Sequence, residues 1–119
     1  NNLAIVIASE LKVYRDTYEL TKLILEVVKQ FPKLAKYTIG QRAIDTCLNL
    51  LDLIQMINMS ESREREQYFL KFIMYAEKLK ILMRLAVEEQ IISLTKQSQI
   101  ALLQASIGKQ ISGWKKCQN

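Results

Sequence analysis

The chain contains no histidine at all. That removes Ser-His-Asp triads, Cys-His pairs and most zinc sites in one step. It also removes the Glu-x-x-His pairs that build a di-iron centre inside a helical bundle. Cysteine is scarce, with Cys47 and Cys117 far apart and lacking companions, so no zinc cluster is expected. Two free thiols suit a reducing compartment better than a disulfide, and a cytoplasmic location is the expectation. No apolar run reaches membrane-spanning length without charge, so no membrane role is expected. One proline and three glycines in 119 residues leave little material for a many-turned β structure. Period-two alternation never persists, and no Asn-Gly or Asp-Gly turn occurs. Neither a phosphate-cradling glycine loop nor a dinucleotide fingerprint is present.

What is present is apolar residue at helical spacing. Half of the chain is hydrophobic, and the length suits one domain with one core. Residues 1–8 read as a leader of uncertain order, 9–116 as the domain and 117–119 as a tail. Ser9 is the expected cap of a first helix. Val13, Thr17, Leu20, Ile24, Val27 and Phe31 recur at intervals of three and four, one face of that helix. Pro32 should stop it, and Leu34 to Tyr37 reads as a link. Thr38 and Gln41 have the spacing of a capping box and should open a second helix. Ile44, Leu48, Leu51 and Ile54 line one face of it, broadened by Cys47, Leu50 and Ile57. Asp45 and Asp52 fall outside, seven apart. Ser60 should cap a third helix, whose opening block Arg63-Glu64-Arg65-Glu66 reads as solvated. That helix should stop near Glu89, and Ser93 should cap a fourth. There Ile100, Leu103, Ile107, Ile111 and Trp114 form the apolar stripe. Ala101, Ala105, Gly108 and Ser112 form a second stripe, small enough to admit a close neighbour. Four such helices with short links make an all-α, up-down-up-down four-helix bundle.

The third helix organises the rest. Tyr68, Phe69, Phe72, Tyr75, Ala76, Leu79, Met83 and Ala86 fill a broad arc that serves a core. Leu70, Met74, Ile81 and Leu85 form a second, narrower stripe. Lys71 and Lys78 border it on one side, Glu77 and Arg84 on the other. This second stripe is expected to contact another protein chain. The plainer alternative packs both arcs inside one bundle.

Chemistry is hard to find. Ser93-Leu-Thr-Lys96 fits the Ser-x-x-Lys pattern of a serine nucleophile, but its accessory motifs are missing and a helix cap explains Ser93 better. No catalytic residue, metal site or cofactor is expected. Binding remains. Seventeen bases against twelve acids give a net charge of +5, compatible with an anionic partner. Lysines spread over several helices point to phosphate attraction rather than base reading.

Leu11–Leu20 (LKVYRDTYEL), Gln30–Lys33 (QFPK), Tyr37–Asp45 (YTIGQRAID), Leu50–Ile54 (LLDLI) and Ile107–Lys116 (IGKQISGWKK) follow one order. That order resembles the accessory variability determinant proteins of diversity-generating retroelements. These are four-helix-bundle proteins related to the ribosomal-RNA intervening-sequence proteins. The resemblance implies a non-catalytic subunit assembled as a homo-oligomer, a pentameric ring. It implies binding to a reverse transcriptase and to RNA or DNA in support of mutagenic retrohoming. Position in this chain nominates Arg42 first for nucleic-acid contact, then Lys71, Lys78, Lys80 and Arg84, with Lys36. Leu70, Met74, Ile81 and Leu85 are nominated for the oligomer interface. The alternative is a structural bundle oligomer of the intervening-sequence type with no direct nucleic-acid role.

Overall fold

A computed structural model describes residues 7–118. Most of the expected leader, and Asn119 of the expected tail, lie outside the described residues. Four long helices account for most of the rest: α1 (Lys12–Val28), α2 (Gln41–Met59), α3 (Ser62–Glu88) and α4 (Leu94–Cys117). α1 packs on α2 and α4, and α3 packs on the same two, so α1 and α3 stand on one diagonal. That is the up-down-up-down bundle, with extents of 50 × 22 × 22 Å.

The helix starts differ from the expectation in an informative way. Ser9 caps nothing; it lies in a short 3-10 turn, Ala8–Glu10, and extended Leu11 precedes α1 without a side-chain cap. Pro32 does break the chain, with ψ near 153°. The helix then restarts at once. Residues Lys33–Ala35 are helical, Lys36–Gly40 form a π turn, and α2 continues from it. There is no loop at Leu34 to Tyr37 and no capping box at Thr38. Gly40 and Gln41 are already helical, so their amides are not free ends. The Thr38 hydroxyl instead donates backwards to the Leu34 carbonyl at 2.7 Å. Threonine does this readily inside a helix, which is why its spacing to Gln41 misleads.

The π turn that leads into α2 packs tightly against the end of α1. A Cβ on Gly40 would sit 2.6 Å from Val28 Cγ1. Only a residue without a side chain allows the contact. At the far end of α3, Gln90 takes a left-handed φ of 58°. The Ile91 amide reaches back to the Ala86 carbonyl at 2.8 Å, and the Gln90 amide to Val87 at 3.0 Å. This is a Schellman closure carried by glutamine in the place where glycine is usual. Ser93 then caps α4, accepting from the Lys96 amide at 3.2 Å, as expected. Ser60 does not cap α3. Glu61 occupies that position, and the Ser60 hydroxyl donates to the Met56 carbonyl.

The core follows the apolar spacing. Val13, Thr17, Leu20, Ile24, Val27 and Phe31 are all buried. The Thr17 and Thr21 hydroxyls donate to the carbonyls of Val13 and Thr17, so neither is left unpaired in the core. On α2 the buried line is Ala43, Cys47, Leu50, Ile54 and Ile57, while Leu48 faces outward. Phe69 of α3 meets Trp114 of α4 edge to face, with ring centroids 5.5 Å apart.

Two polar clamps tie the helices. Asp16 of α1 accepts from Lys12 and Gln110 at 2.7 Å each, and from Ser106 at 3.3 Å. Arg65 is not a solvated residue of its charge block. Its Nε donates to the carbonyls of Ile57 and Ser60 at 2.9 Å, and its guanidinium also holds the Gln118 amide oxygen. One side chain thus satisfies carbonyls at the end of α2 and fastens the end of α4 beside them.

Candidate protein and nucleic-acid interface

α3 buries one arc and exposes another. Phe69, Phe72, Leu79, Met83 and Ala86 are buried. Leu70, Met74, Ile81 and Leu85 are 49%, 70%, 59% and 40% exposed. With one bundle's core complete, these four stay on its outer surface. Both arcs therefore do not pack inside one bundle. From Leu70 to Leu85 the stripe runs about 22 Å along the helix.

The cations beside it fall into two groups. Lys80 pairs with Glu77 at 3.1 Å, and Arg84 lies 3.8 Å from Glu88, both within α3. Such exposed pairs are weak and can be traded for a ligand at low cost. Lys71, Lys78 and Arg42 have no acidic partner among the described residues. Lys78 leans towards the Tyr75 ring, 6.0 Å from its centroid. Arg42 and Lys78 share an open depression of about 490 Å³, floored by Ile73, Met74, Ile81 and Leu82. The fold thus brings Arg42 of α2 to the stripe of α3, which residue spacing alone could not show. Lys71 stands two turns from Lys78 on the same flank. Lys36 is separate: it is half-buried on the π turn and lines no part of this depression.

A second groove, of about 210 Å³, opens between α3 and α4 beside Phe72, Ala76, Gln104, Ile107 and Gly108. The small residues of α4 are not covered by a neighbour among the described residues. Ala101, Ala105, Gly108 and Ser112 are exposed, and a Cβ on Gly108 would meet nothing within 4 Å.

Ser93, Lys96 and Cys47 are each engaged or buried, while Cys117 is exposed. The Ser93 hydroxyl is used by the α4 cap, and Lys96 pairs with Glu26 of α1 at 3.2 Å. Burial pushes the Cys47 thiol up to about 12, against a hydrogen bond with Thr21 that pulls it down, so it stays protonated at neutral pH. Among the described residues no group of three or more Cys, Asp or Glu could hold a metal ion. No helix among them is long and apolar enough to cross a membrane.

A family model described as bAvd-like matches residues 11–118. The chain belongs to the bAvd-like family. No curated protein matches it. Membership agrees with the observed bundle, since the matched residues begin one position before α1 and end one after α4. The bAvd-like match therefore covers both clamps and the whole exposed stripe of α3.

Proposed function

We propose that this chain is a non-catalytic accessory subunit of a diversity-generating retroelement. In this reading it binds the element's reverse transcriptase and nucleic acid in the cytoplasm, working as a homo-oligomer, a five-membered ring. The observation that carries the reading is the exposed apolar stripe of α3, bordered by cations, on a bAvd-like bundle. An aliphatic stripe of Leu, Met and Ile suits protein contact. The cations around it suit phosphate, with Arg42 and Lys36 on α2 and its π turn, and Lys71, Lys78, Lys80 and Arg84 on α3. Neutralised phosphates release counterions, so such binding is steep in salt.

Fluorescence anisotropy with a labelled single-stranded RNA, titrated between low and moderate salt, tests it. Affinity falls steeply with salt, and R42E alone and K80E/R84E together weaken it. Each lost phosphate contact lowers the salt slope by about one. A flat salt response removes phosphate contact from the mechanism. A purely structural oligomer is the second reading, favoured by the ion pairs that already engage Lys80 and Arg84. Unchanged assembly and transcriptase binding in those variants, with no RNA binding in the wild type, selects it.

A further inference from the structure

The outward faces of α2 and α3 carry one pattern with opposite charges. On α3 it is Lys71, Met74 and Lys78. On α2 it is Asp45, Leu48 and Asp52. Both place a charge, then an apolar residue three positions on, then a like charge four further, on one helical face. All six residues are exposed, Leu48 by 47% and Met74 by 70%. None of the four charges is in an ion pair among the described residues, and Asp45 has only a 3.3 Å contact from Gln41. A bundle of this size rarely leaves a stripe of large aliphatics bare without a partner for it.

We infer that the α2 face of one copy docks on the α3 face of the next. Leu48 then packs on Met74, with Asp45 against Lys78 and Asp52 against Lys71. The heights agree. α2 and α3 run antiparallel through the short Ser60-Glu61 link. Counting back from that link puts Leu48 within one residue of the level of Met74. Asp45 and Asp52 fall within two residues of the levels of Lys78 and Lys71, about 3 Å along the axis. Rotation about an axis parallel to the bundle changes no height. A neighbour placed by such a rotation therefore presents its α2 face to α3 in register.

Self-docking of α3 on α3 is the poorer solution. In an antiparallel two-fold pairing centred on the stripe, Lys78 meets Lys78 and Glu77 meets Glu77. The α2-to-α3 contact joins two different faces, so each copy keeps one of each free until the assembly closes. This rests on the oligomeric reading above and adds the identity of the two faces. It also moves Lys71 and Lys78 from phosphate to protein contact. Arg42, Lys36, Lys80 and Arg84 remain for nucleic acid.

Charge exchange on the full chain tests it, with mass measured by light scattering after size exclusion and helix content by circular dichroism. D45K/D52K and K71D/K78D each weaken association about tenfold or more while helix content stays at the wild-type level. The chain carrying all four substitutions associates again, because the pairs are restored with signs reversed. M74E dissociates the assembly as well. The inference is overturned if the wild-type chain is a monomer at high concentration. It is equally overturned if D45K/D52K assembles like wild type, or if the fourfold exchange fails to recover what the double variants lose. Wild-type RNA binding, read separately by anisotropy, tells failure of this contact from failure of the accessory-subunit reading.

Discussion

Replacing Gly40 by alanine sets two effects of opposite sign against each other. Gly40 has ordinary helical angles, φ −62° and ψ −47°, so alanine needs no new backbone. On propensity alone it should stabilise by about 0.5–1 kcal/mol. Packing opposes this. The added methyl would lie 2.6 Å from Val28 Cγ1, 3.3 Å from the Ala35 carbonyl oxygen and 3.4 Å from Phe31 Cδ2. Val28 is 4% exposed and β-branched, so its side chain cannot swing away. The carbonyl belongs to the helical residue that leads directly into the π turn. Overpacking of this kind costs about 1–3 kcal/mol. G40A should therefore lose about 1–2 kcal/mol net, several degrees in Tm for a chain of this size. Urea unfolding followed by circular dichroism reads it, with G108A as the control. Gly108 has open space around its would-be Cβ, so there only the propensity gain applies and the variant is stabilised. In a V28A background the clash partner is gone, and G40A should cost much less. A G40A chain as stable as wild type would refute the close approach of α1 and α2, and so would an undiminished cost beside V28A.

Q90G should raise stability by about 0.5–1 kcal/mol, since it relieves the left-handed strain at the Schellman closure; a lower urea midpoint counts against that. The hydrogen bond from Lys12 holds the Asp16 carboxyl below its ordinary value of 3.8, with Gln110 and Ser106 assisting and partial burial opposing. The sign follows: this stabilisation is complete above the unfolded value and is lost as pH falls through the lower folded one. D16N should flatten the acid limb of a stability-against-pH curve. Cys117 should react with iodoacetamide at pH 8, and buried Cys47 only on unfolding, as mass spectrometry of partly labelled protein will read.

The core of α1 was legible because Val13 to Phe31 repeat at helical spacing, and packing obeyed the pattern. The two arcs of α3 were legible for the same reason. Leu48, expected on the inner face, is exposed: it is about a third of a turn off the line of Cys47, Leu50 and Ile54, and an apolar side chain does not announce its face. The helical restart after Pro32 was hidden, because a proline explains why a helix stops and says nothing about how soon the next begins. Arg65 looked solvated, since its partners are carbonyls at the end of another helix and an amide 53 residues away. The meeting of Arg42 with Lys78 depends on how α2 lies against α3, information that resides in tertiary packing.

The guanidinium of Arg65 gives the molecule a weak point as well as a fastening. It grips the last described turn of the chain and the hinge between α2 and α3 with a single side chain. Trimming the C-terminal residues should therefore loosen the Ser60-Glu61 elbow, which is distant in sequence, before it disturbs the Gly40 crossing at the opposite pole. A protease would find its first purchase there.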